Sequence, residues 1–414
     1  MKLNRPTYVA GGLSTQFIGK FHPDFIWKKH PDFGTKTNPT LEDYITNATT
    51  QLFEQLGVDG TSVDKAFIGN FAGELFSNQG HLGSALAGAH PSLQYKPITR
   101  TEGACASGGL GIAAGIDAIQ AGYDVILVVG AEVQTTVNAK VGADYLARAS
   151  HYASQRDLDP FTFPALFARR AKAAMASFGV TEEDLAELAV KAYKNANKNP
   201  LAHMRTVNMT KEAAMTSALF LQNEDLHDYL RVSHCSQVSD GGSALLLASE
   251  AGLKKLGVTN DDATSVLSYG HAVGSLYEET DALELHTTRH AAERAYADAG
   301  LTPDKVGVCE VHDCFAITEL MMYEALGFAD KSKGVELVRS GETGLEGKIP
   351  VNTGGGLMAF GHPVGATGIK QLVELHKQLK GNAGGYQVGN SPTVGLAANM
   401  GGDDRTAVVT ILGA

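Results

Sequence analysis

The sequence predicts an α/β protein in which buried strands alternate with helices that cover them. The chain has 414 residues, of which 43% are hydrophobic and 19% charged, a composition typical of a soluble globular enzyme. Short continuous apolar runs such as residues 125–129 alternate with amphipathic stretches of helix length. Continuous apolar strands are typical of mixed or parallel sheets with both faces covered. At this length we expect two or three subdomains around a large core.

One arrangement of helix and strand occurs twice along the chain, which indicates a duplicated core. In the clearer repeat, each copy consists of a helix, a glycine and a strand. The first copy is helix 41–56, Gly57 and strand 63–69, and the second is helix 284–299, Gly300 and strand 304–308. The looser copies each consist of a helix and a later strand: a helix opening at Gly109 with strand 124–130, and a helix opening at Ala366 with strand 406–412.

A stretch of different character, residues 137–231, lies between the copies. It carries helical segments, several prolines and an aromatic cluster of Phe161, Phe163 and Phe167. Linkers lack such patterning, so we expect a folded insertion that covers a substrate or serves packing in an oligomer. The predicted N-terminal half consists of residues 1–136 together with 232–262. The predicted insertion is residues 137–231, and the predicted C-terminal half is residues 263–414.

Charge and cysteine content narrow the classes of partner and compartment. The formal net charge is −11, and no run is rich in lysine or arginine, which argues against nucleic acid or an anionic membrane as the main partner. Four cysteines are too few for a disulfide framework, so we expect a reducing compartment. The N-terminus lacks the apolar core of a signal peptide, and no apolar run has the length of a membrane span. These observations predict a cytoplasmic protein.

Cys105 is the first candidate catalytic residue. It lies where a strand-like segment meets a helix rich in alanine and glycine, residues 110–121. Unpaired N–H groups and the positive end of the helix dipole favour a thiolate at such a place, which predicts a nucleophile. The alternative is a small buried residue in a packed helix.

The segment His312-Asp313-Cys314-Phe315 follows the strand-like residues 306–310. Its side chains should emerge at the C-terminal end of a strand, where open α/β sheets place their sites. His312 and Cys314 could belong to a metal site, but no other Cys/His pair here has zinc-ligand spacing. An acid/base thiol beside an imidazole fits better, and we predict no metal.

Two glycine-rich segments, residues 352–356 and 361–368, indicate tight turns and close backbone approach. His362 lies between Gly361 and Pro363 at the start of a helix, which makes it a candidate base. The small residues at 233–244 permit close packing or ligand approach, with packing the expected role for most of them.

Together these segments resemble the thiolase family, in family order and over essentially the whole chain. The His312-Asp313-Cys314-Phe315 segment is similar to that of thiolases of the sterol-carrier-protein type, whereas most other thiolases have Asn-Glu-Ala-Phe there. Residues 103–108 resemble the family's nucleophile segment, and residues 361–363 resemble its catalytic-histidine segment. Residues 194–200 resemble a segment of the loop domain, and residues 239–242 resemble the return of the chain to the N-terminal half.

The resemblance implies a thiolase fold, with two βαβαβαββ halves packed as a five-layer α-β-α-β-α core. The insertion would form a loop domain over coenzyme A. Coenzyme A thioesters are implied as substrates, with no bound cofactor. A homodimer or homotetramer is implied as well, and some relatives of this variant work with a small partner protein.

The resemblance also implies catalytic roles. Cys105 would take the acyl group as a thioester, His362 would help to deprotonate it, and Cys314 would act as the second acid/base. His362 and a water held by His312 would form one oxyanion hole. The backbone N–H groups of Cys105 and Gly401 would form the other.

Ser236 and Phe315 would contact coenzyme A by the same resemblance. The chain departs from most thiolases near its C-terminus, because residues 397–402 contain no cysteine where a Cys-x-Gly segment is usual. In the sterol-carrier-type variant the thiol of Cys314 would perform that duty. Asp403-Asp404 is a second departure, at a place where glycines often follow.

The predicted reaction is a reversible Claisen condensation and thiolysis: 3-ketoacyl-CoA and CoA in exchange with acyl-CoA and acetyl-CoA, as part of lipid metabolism. A decarboxylating ketoacyl synthase shares the fold but usually carries two catalytic histidines, or a histidine and an asparagine, in its C-terminal half. A cysteine beside His312 favours the thiolase. A non-enzymatic acyl-CoA-binding or scaffold subunit is the other alternative, favoured by the absent C-terminal cysteine.

Overall fold

The computed structural model describes residues 2–414, and the strands of this range form one mixed sheet. Its nine strands are β1 (Tyr8–Ser14), β2 (Lys65–Gly69), β3 (Ile98–Thr101), β4 (Val125–Glu132), β5 (Gly241–Ala248), β6 (Thr264–Val273), β7 (Val308–Val311), β8 (Val394–Gly401) and β9 (Thr406–Gly413). The order across the sheet is β3-β2-β4-β5-β1-β6-β9-β8-β7.

Fourteen α-helices lie within the same range. They are α1 (Leu41–Leu56), α2 (Gly73–Phe76), α3 (Leu82–Gly88), α4 (Ser107–Gln120), α5 (Ala139–Leu146), α6 (Tyr152–Gln155), α7 (Thr162–Phe178), α8 (Glu182–Ala196), α9 (Lys211–Thr216), α10 (Glu250–Leu256), α11 (His286–Ala299), α12 (Ala316–Ala325), α13 (Gly334–Ser340) and α14 (Thr367–Leu379). None of these helices, all between residues 2 and 414, combines the length and the apolar character needed to cross a membrane.

The strand pairings confirm the predicted duplication. In the first half β5 runs antiparallel to β4 and β1, and in the second half β9 runs antiparallel to β8 and β6. Strand β2 pairs parallel with β4, just as β7 pairs parallel with β8. Val351 takes the place of β3 in the second half, where it forms a single parallel bridge with Cys309 of β7. Each half therefore follows the βαβαβαββ order.

The looser of the two predicted repeats differs in its last strand. The strand that follows α14 is β8, whereas residues 406–412 belong to the next strand, β9. By its pairing, β8 is the counterpart of β4 and β9 the counterpart of β5. The sequence of β8, with its glycines, alanines and asparagine, has low strand propensity, so its pairing rather than its composition makes it a strand.

The layers follow from which sheet face each helix covers. Val408 and Leu412 of β9 lie in one buried cluster with Ile369 of α14, while Val409 and Ile411 lie in the cluster that contains α11 and α12. Alternate residues of a strand point to opposite faces, so helices cover both. Helices α4 and α14 share the central cluster, and α1 covers the outer face of the first half. This is the predicted five-layer α-β-α-β-α core.

The first turns of α4 and α14 meet at a contact that only glycine allows. A Cβ on Gly108 would lie 2.8 Å from the carbonyl oxygen of Gly365, and one on Gly368 would lie 2.4 Å from the nitrogen of Gly109. Real Cβ atoms essentially never come that close, so larger residues would push the two helices apart. The contact brings together the two loops that precede these helices.

The helices between β4 and β5 pack on the C-terminal half. Leu185 and Leu188 of α8 are buried in one cluster with Met322 of α12. A buried ion pair, Arg170 Nε to Asp403 Oδ1 at 2.6 Å, connects α7 to the turn after β8. The limits of the three predicted domains stay predictions.

Candidate active site

Cys105 lies in the loop between β3 and α4, and the helix begins at Ser107. Its neighbour Ala104 has a φ of +51°, a left-handed conformation that is uncommon outside glycine. The Ala104 N–H donates to Glu102 Oε1 at 2.7 Å, and the Ser107 hydroxyl donates to the Ala104 carbonyl at 2.6 Å. These bonds maintain the strained turn that presents Cys105, and such strain is common at functional sites.

Cys105 is a thiol in the resting protein. Burial raises its pKa to about 12, and the nearby Glu132 carboxylate adds to the rise. A hydrogen bond from the Gly402 N–H lowers the pKa by less than burial raises it. The helix start favours a thiolate, as the sequence suggests, but here desolvation raises the pKa of Cys105 more strongly. A nucleophilic Cys105 needs a base.

His362 is a neutral imidazole beside this thiol. The ligand-type atoms of Cys105, His312 and His362 all lie within 4.8 Å of one another. His362 Nδ1 lies 2.7 Å from the Thr367 hydroxyl, which donates its hydrogen to the Pro363 carbonyl at 3.2 Å. Nδ1 therefore carries the proton, and Nε2 has a free lone pair. Burial lowers the pKa of His362 to about 3.

His312 has the opposite tautomer. Its Nδ1 lies 3.2 Å from Nδ2 of Asn399, an amide whose Oδ1 accepts the Gly109 N–H at 3.0 Å. Because an amide NH₂ only donates, Nδ1 of His312 accepts and Nε2 carries the hydrogen. Burial keeps the pKa of His312 well below its usual range, and the positive charge that a protonated His362 would carry lowers it further. The two rings lie nearly perpendicular, with centroids 5.0 Å apart.

Cys314 is a buried thiol close to the half-buried Cys105. Burial raises its pKa well above the usual value, the charge of Cys105 adds to the rise, and a hydrogen bond from Thr318 lowers it. The Cys314 Sγ and the Thr318 hydroxyl oxygen are 3.7 Å apart. The carbonyl of Cys314 accepts the Ser236 N–H at 2.9 Å, which brings that segment beside the thiol.

Asp313, between the histidine and the cysteine, connects their segment to the one before His362. Its carboxylate accepts the N–H groups of Leu357 at 2.6 Å and Met358 at 3.4 Å. Both belong to the π-helical turn Gly356–Phe360, which leads directly to His362. The contact holds these two segments of the C-terminal half in register.

Replacing Gly356 by alanine is expected to destabilise the protein by about 2–5 kcal/mol, from strain at positive φ together with overpacking. Gly356 has a φ of +59°, and a Cβ there would lie 2.1 Å from Asp313 Oδ2. Gly341 is the matched control, since its φ is +73° but a Cβ there would meet nothing within 4 Å. Urea unfolding should show a clearly larger loss for Gly356→Ala. Equal losses would mean that the Asp313 contact does not matter.

Phe315 packs between the C-terminal half and the insertion. Its ring stacks on Phe167 of α7, with centroids 4.5 Å apart and an interplanar angle of 23°. Phe315 also forms an antiparallel bridge with Cys235, next to the half-buried Ser236. The structure brings both predicted coenzyme A contacts beside Cys314, and their binding roles stay predictions.

The turn after β8 brings the Gly402 N–H to the Cys105 thiol, one residue beyond the predicted oxyanion donor Gly401. The Gly402 N–H hydrogen-bonds the thiol, and Gly402 has a φ of +67°. A Cβ on Gly401 would lie 2.0 Å from the carbonyl of Gly103, so the absence of a side chain at Gly401 permits the close approach. The predicted donor role of Gly401 stays a prediction.

The two acids that replace glycines are structural anchors. Asp403 accepts hydrogen bonds from Arg170 Nε and from the Thr280 hydroxyl, each at 2.6 Å. Asp404, at a φ of +56°, accepts the Thr288 N–H at 3.0 Å in the first turn of α11. They fix the turn that carries the Gly402 N–H.

Sequence reasoning missed the roles of Thr367, Asn399 and Gly402. Asn399 had a detectable signal, because it is a polar residue inside a buried strand, and buried polar groups need partners. Thr367 had no detectable signal in the sequence beyond its place in a glycine-rich segment. Its role depends on a hydrogen bond across a turn.

Cys105, His312 and His362 are also the one group of His, Cys, Asp and Glu in residues 2–414 whose atoms lie close enough to hold a metal. Zinc binds thiolates and imidazole lone pairs, usually with four ligands in structural sites. The tautomer of His312 places an N–H, which cannot bind a metal, on the ring nitrogen that does not face Asn399. The arrangement fits proton transfer better than metal binding.

Solved structures share the fold. A chain of the Ltp2-ChsH2(DUF35) aldolase superimposes with a TM-score of 0.78 at 20% identity, covering 99% of this chain and 98% of that one. Human mitochondrial 3-ketoacyl-CoA thiolase superimposes with a TM-score of 0.71 at 17% identity, covering 100% of both.

Sequence comparisons identify the family. An acetyl-CoA acetyltransferase of Methanothermobacter thermautotrophicus is 37% identical over 375 residues, which make up 90% of this chain and 94% of that protein. Sterol carrier protein 2 of Oryctolagus cuniculus is 31% identical over 366 residues, or 85% of this chain and 64% of that protein. The family models "Thiolase, N-terminal domain" and "Thiolase C-terminal domain-like" match residues 32–251 and 268–414. The chain therefore belongs to the thiolase family, and it fits the sterol-carrier-type variant.

Proposed function

We propose that this protein is a coenzyme A-dependent thiolase that exchanges 3-ketoacyl-CoA and CoA with acyl-CoA and acetyl-CoA. The observation that carries the proposal is the group of Cys105, His312 and His362, whose reactive atoms lie within 4.8 Å of one another. One histidine presents a lone pair and the other an N–H, with a second thiol, Cys314, nearby. Claisen chemistry needs these four functions: a base, an oxyanion donor, a nucleophile and a second acid/base.

Thiolysis begins when His362 Nε2 takes the proton of Cys105. The thiolate attacks the 3-keto carbon of the substrate, and the oxyanion that forms accepts hydrogen bonds. The bond between C2 and C3 then breaks, which leaves an acyl thioester on Cys105 and the enolate of acetyl-CoA. The Cys314 thiol gives its proton to that enolate carbon, and acetyl-CoA is released.

The second half returns both protons. The thiol of free CoA gives its proton to the Cys314 thiolate and attacks the acyl group on Cys105. Cys105 leaves as a thiolate and takes the proton back from His362, so that the starting state is restored. A covalent intermediate divides one difficult step into two easier ones and predicts ping-pong kinetics.

The two histidines donate hydrogen bonds to the oxyanion at different stages of the reaction. The neutral His312 offers its Nε2–H, directly or through a bound water, before any proton has moved. His362 becomes a donor only after it has taken the proton of Cys105. Each well-placed donor contributes about 3 kcal/mol to the stabilisation of the transition state.

Intact-protein mass spectrometry with short- and long-chain 3-ketoacyl-CoA esters, followed by peptide mapping, tests the proposal. We expect an acyl adduct on Cys105 that disappears when free CoA is added. An absent adduct with every ester would contradict the proposal and favour an acyl-CoA-binding scaffold. Release of carbon dioxide from a malonyl thioester would favour a decarboxylating ketoacyl synthase.

We also propose that the chain works as a homodimer or homotetramer in the cytoplasm and that it takes a small partner subunit. One similar solved structure, the Ltp2-ChsH2(DUF35) aldolase, is named for ChsH2(DUF35) together with Ltp2, which supports a partner of this kind. Light scattering of the purified protein and of the protein co-expressed with its partner measures both assemblies. A monomer that is fully active alone would contradict them.

A further inference from the structure

Asn399 of β8 connects three segments that come from both halves of the protein. It is 3% exposed, and its side chain makes three hydrogen bonds. Its Oδ1 accepts the Gly109 N–H at 3.0 Å. Its Nδ2 donates to the Cys105 carbonyl at 3.1 Å and to His312 Nδ1 at 3.2 Å. An apolar residue of the same size would leave three polar groups without these bonds.

The orientation of this amide is determined by its neighbours. The Gly109 N–H can only donate and the Cys105 carbonyl can only accept, so the oxygen of Asn399 faces Gly109 and the nitrogen faces Cys105. The remaining hydrogen of Nδ2 then points to His312. An isolated imidazole exchanges between two tautomers, but here only the form with an unprotonated Nδ1 makes this bond.

We propose that Asn399 is a positioning residue that locks His312 in the Nε2–H tautomer and so keeps a neutral donor facing the reacting atoms. Asn399 acts through His312 and touches no reacting atom itself. Thr367 holds His362 in the other tautomer, because the Nδ1–H of His362 donates to the Thr367 hydroxyl. The two imidazoles are thereby kept in different tautomers. The catalytic consequence rests on the proposed function, whereas the tautomer does not.

Asn399→Asp tests the proposal with almost no change in shape. A carboxylate oxygen can still accept the Gly109 N–H, but the other oxygen accepts where Nδ2 donated. His312 would then donate from Nδ1, and its Nε2 would present a lone pair. We expect the rate of the condensation step to fall by about 10²–10³, the usual cost of losing one oxyanion donor. Asn399→Ala, which adds no charge, should leave His312 in a mixture of tautomers.

The tautomer is read directly by ¹⁵N NMR of protein labelled at histidine, with the His312 signals assigned by their loss in His312→Ala. In the unaltered protein we expect a protonated Nε2 and an unprotonated Nδ1 on His312. In Asn399→Asp we expect the reverse, a protonated Nδ1 and an unprotonated Nε2 on His312. Unchanged His312 signals in both Asn399→Asp and Asn399→Ala would overturn the proposal.

A double-mutant cycle separates positioning from a general structural role. If Asn399 acts through His312, Asn399→Asp should cost little further activity in a His312→Ala background. An equal loss in both backgrounds would overturn the proposal. Acyl loading of Cys105 in the unaltered protein tests the proposed function separately, because its absence would leave the NMR result unaffected.

Gln378→Glu is the matched control for burying an extra carboxylate. Gln378 is a buried amide at the far end of α14 whose Oε1 accepts the Val388 N–H at 3.0 Å. Its Nε2 donates to the Thr353 hydroxyl and the Tyr386 carbonyl, each at 2.9 Å. We expect a comparable loss of stability, with the His312 tautomer unchanged. A reversed tautomer in this variant would show that the NMR signature is not specific to Asn399.

Discussion

Replacing Cys105 by serine is expected to reduce thiolysis by about four orders of magnitude or more, as the loss of a covalent nucleophile usually does. The half-buried thiol of Cys105 already has a pKa of about 12, and the pKa of His362, the base beside it, is lowered to about 3. Proton transfer from the thiol is therefore uphill, and a hydroxyl, which is a much weaker acid, makes it worse. Steady-state thiolysis and mass spectrometry of the acyl adduct measure the effect.

Cys235→Ser is the control for this substitution. Cys235 is half-buried, and its thiol donates to the Arg231 carbonyl at 3.4 Å, a bond that a serine hydroxyl can keep. The thiolysis activity of Cys235→Ser should stay within a few-fold of that of the unaltered protein. Substantial thiolysis by Cys105→Ser, or an acyl adduct on another cysteine, would show that Cys105 is not the nucleophile.

Replacing Cys314 by alanine is expected to separate the two halves of the reaction. Acyl transfer from acyl-CoA to Cys105 should persist at a reduced rate, because the CoA thiolate can leave without the proton that Cys314 would give it, whereas the enolate carbon must gain or lose a proton. Formation of the enolate should slow by about 10²–10⁴, the range that general acid–base catalysis contributes. Exchange of deuterium from solvent into the methyl group of acetyl-CoA measures the enolate step, and mass spectrometry of the adduct measures the loading.

Cys309→Ala is the matched control for Cys314→Ala. Both cysteines are buried and belong to one hydrophobic cluster, but Cys309 lies within β7. This control should keep deuterium exchange even if it loses some stability. Undiminished exchange in Cys314→Ala would rule out Cys314 as the acid/base, and the missing C-terminal cysteine would again need an explanation.

The duplicated fold was predictable because its signals are local. Apolar strands, amphipathic helices and glycines after helices show their periodicity within a short window. The failure came at β8, whose sequence of small and polar residues has low strand propensity and whose partners lie far away in the chain. Pairing with β7 and β9 determines that strand, and pairing is not a local property.

The candidate site divides in the same way. Cys105, Cys314 and His362 stand out by residue type at the start of helices, so the sequence shows them. The state of those groups does not follow from their position in the chain. The helix start favours a thiolate at Cys105, but burial acts on its pKa more strongly.

The fold class, the duplication and the identity of the reactive side chains are readable from the sequence, since periodicity and residue chemistry are encoded over short stretches. The protonation of those groups depends on the folded arrangement. Asn399 sets the tautomer of His312 from 87 residues away in the chain, and Gly109, 290 residues from Asn399, orients that amide. Burial sets the pKa of Cys105. Desolvation and hydrogen-bond direction depend on neighbours in space, and the folded chain alone supplies those neighbours.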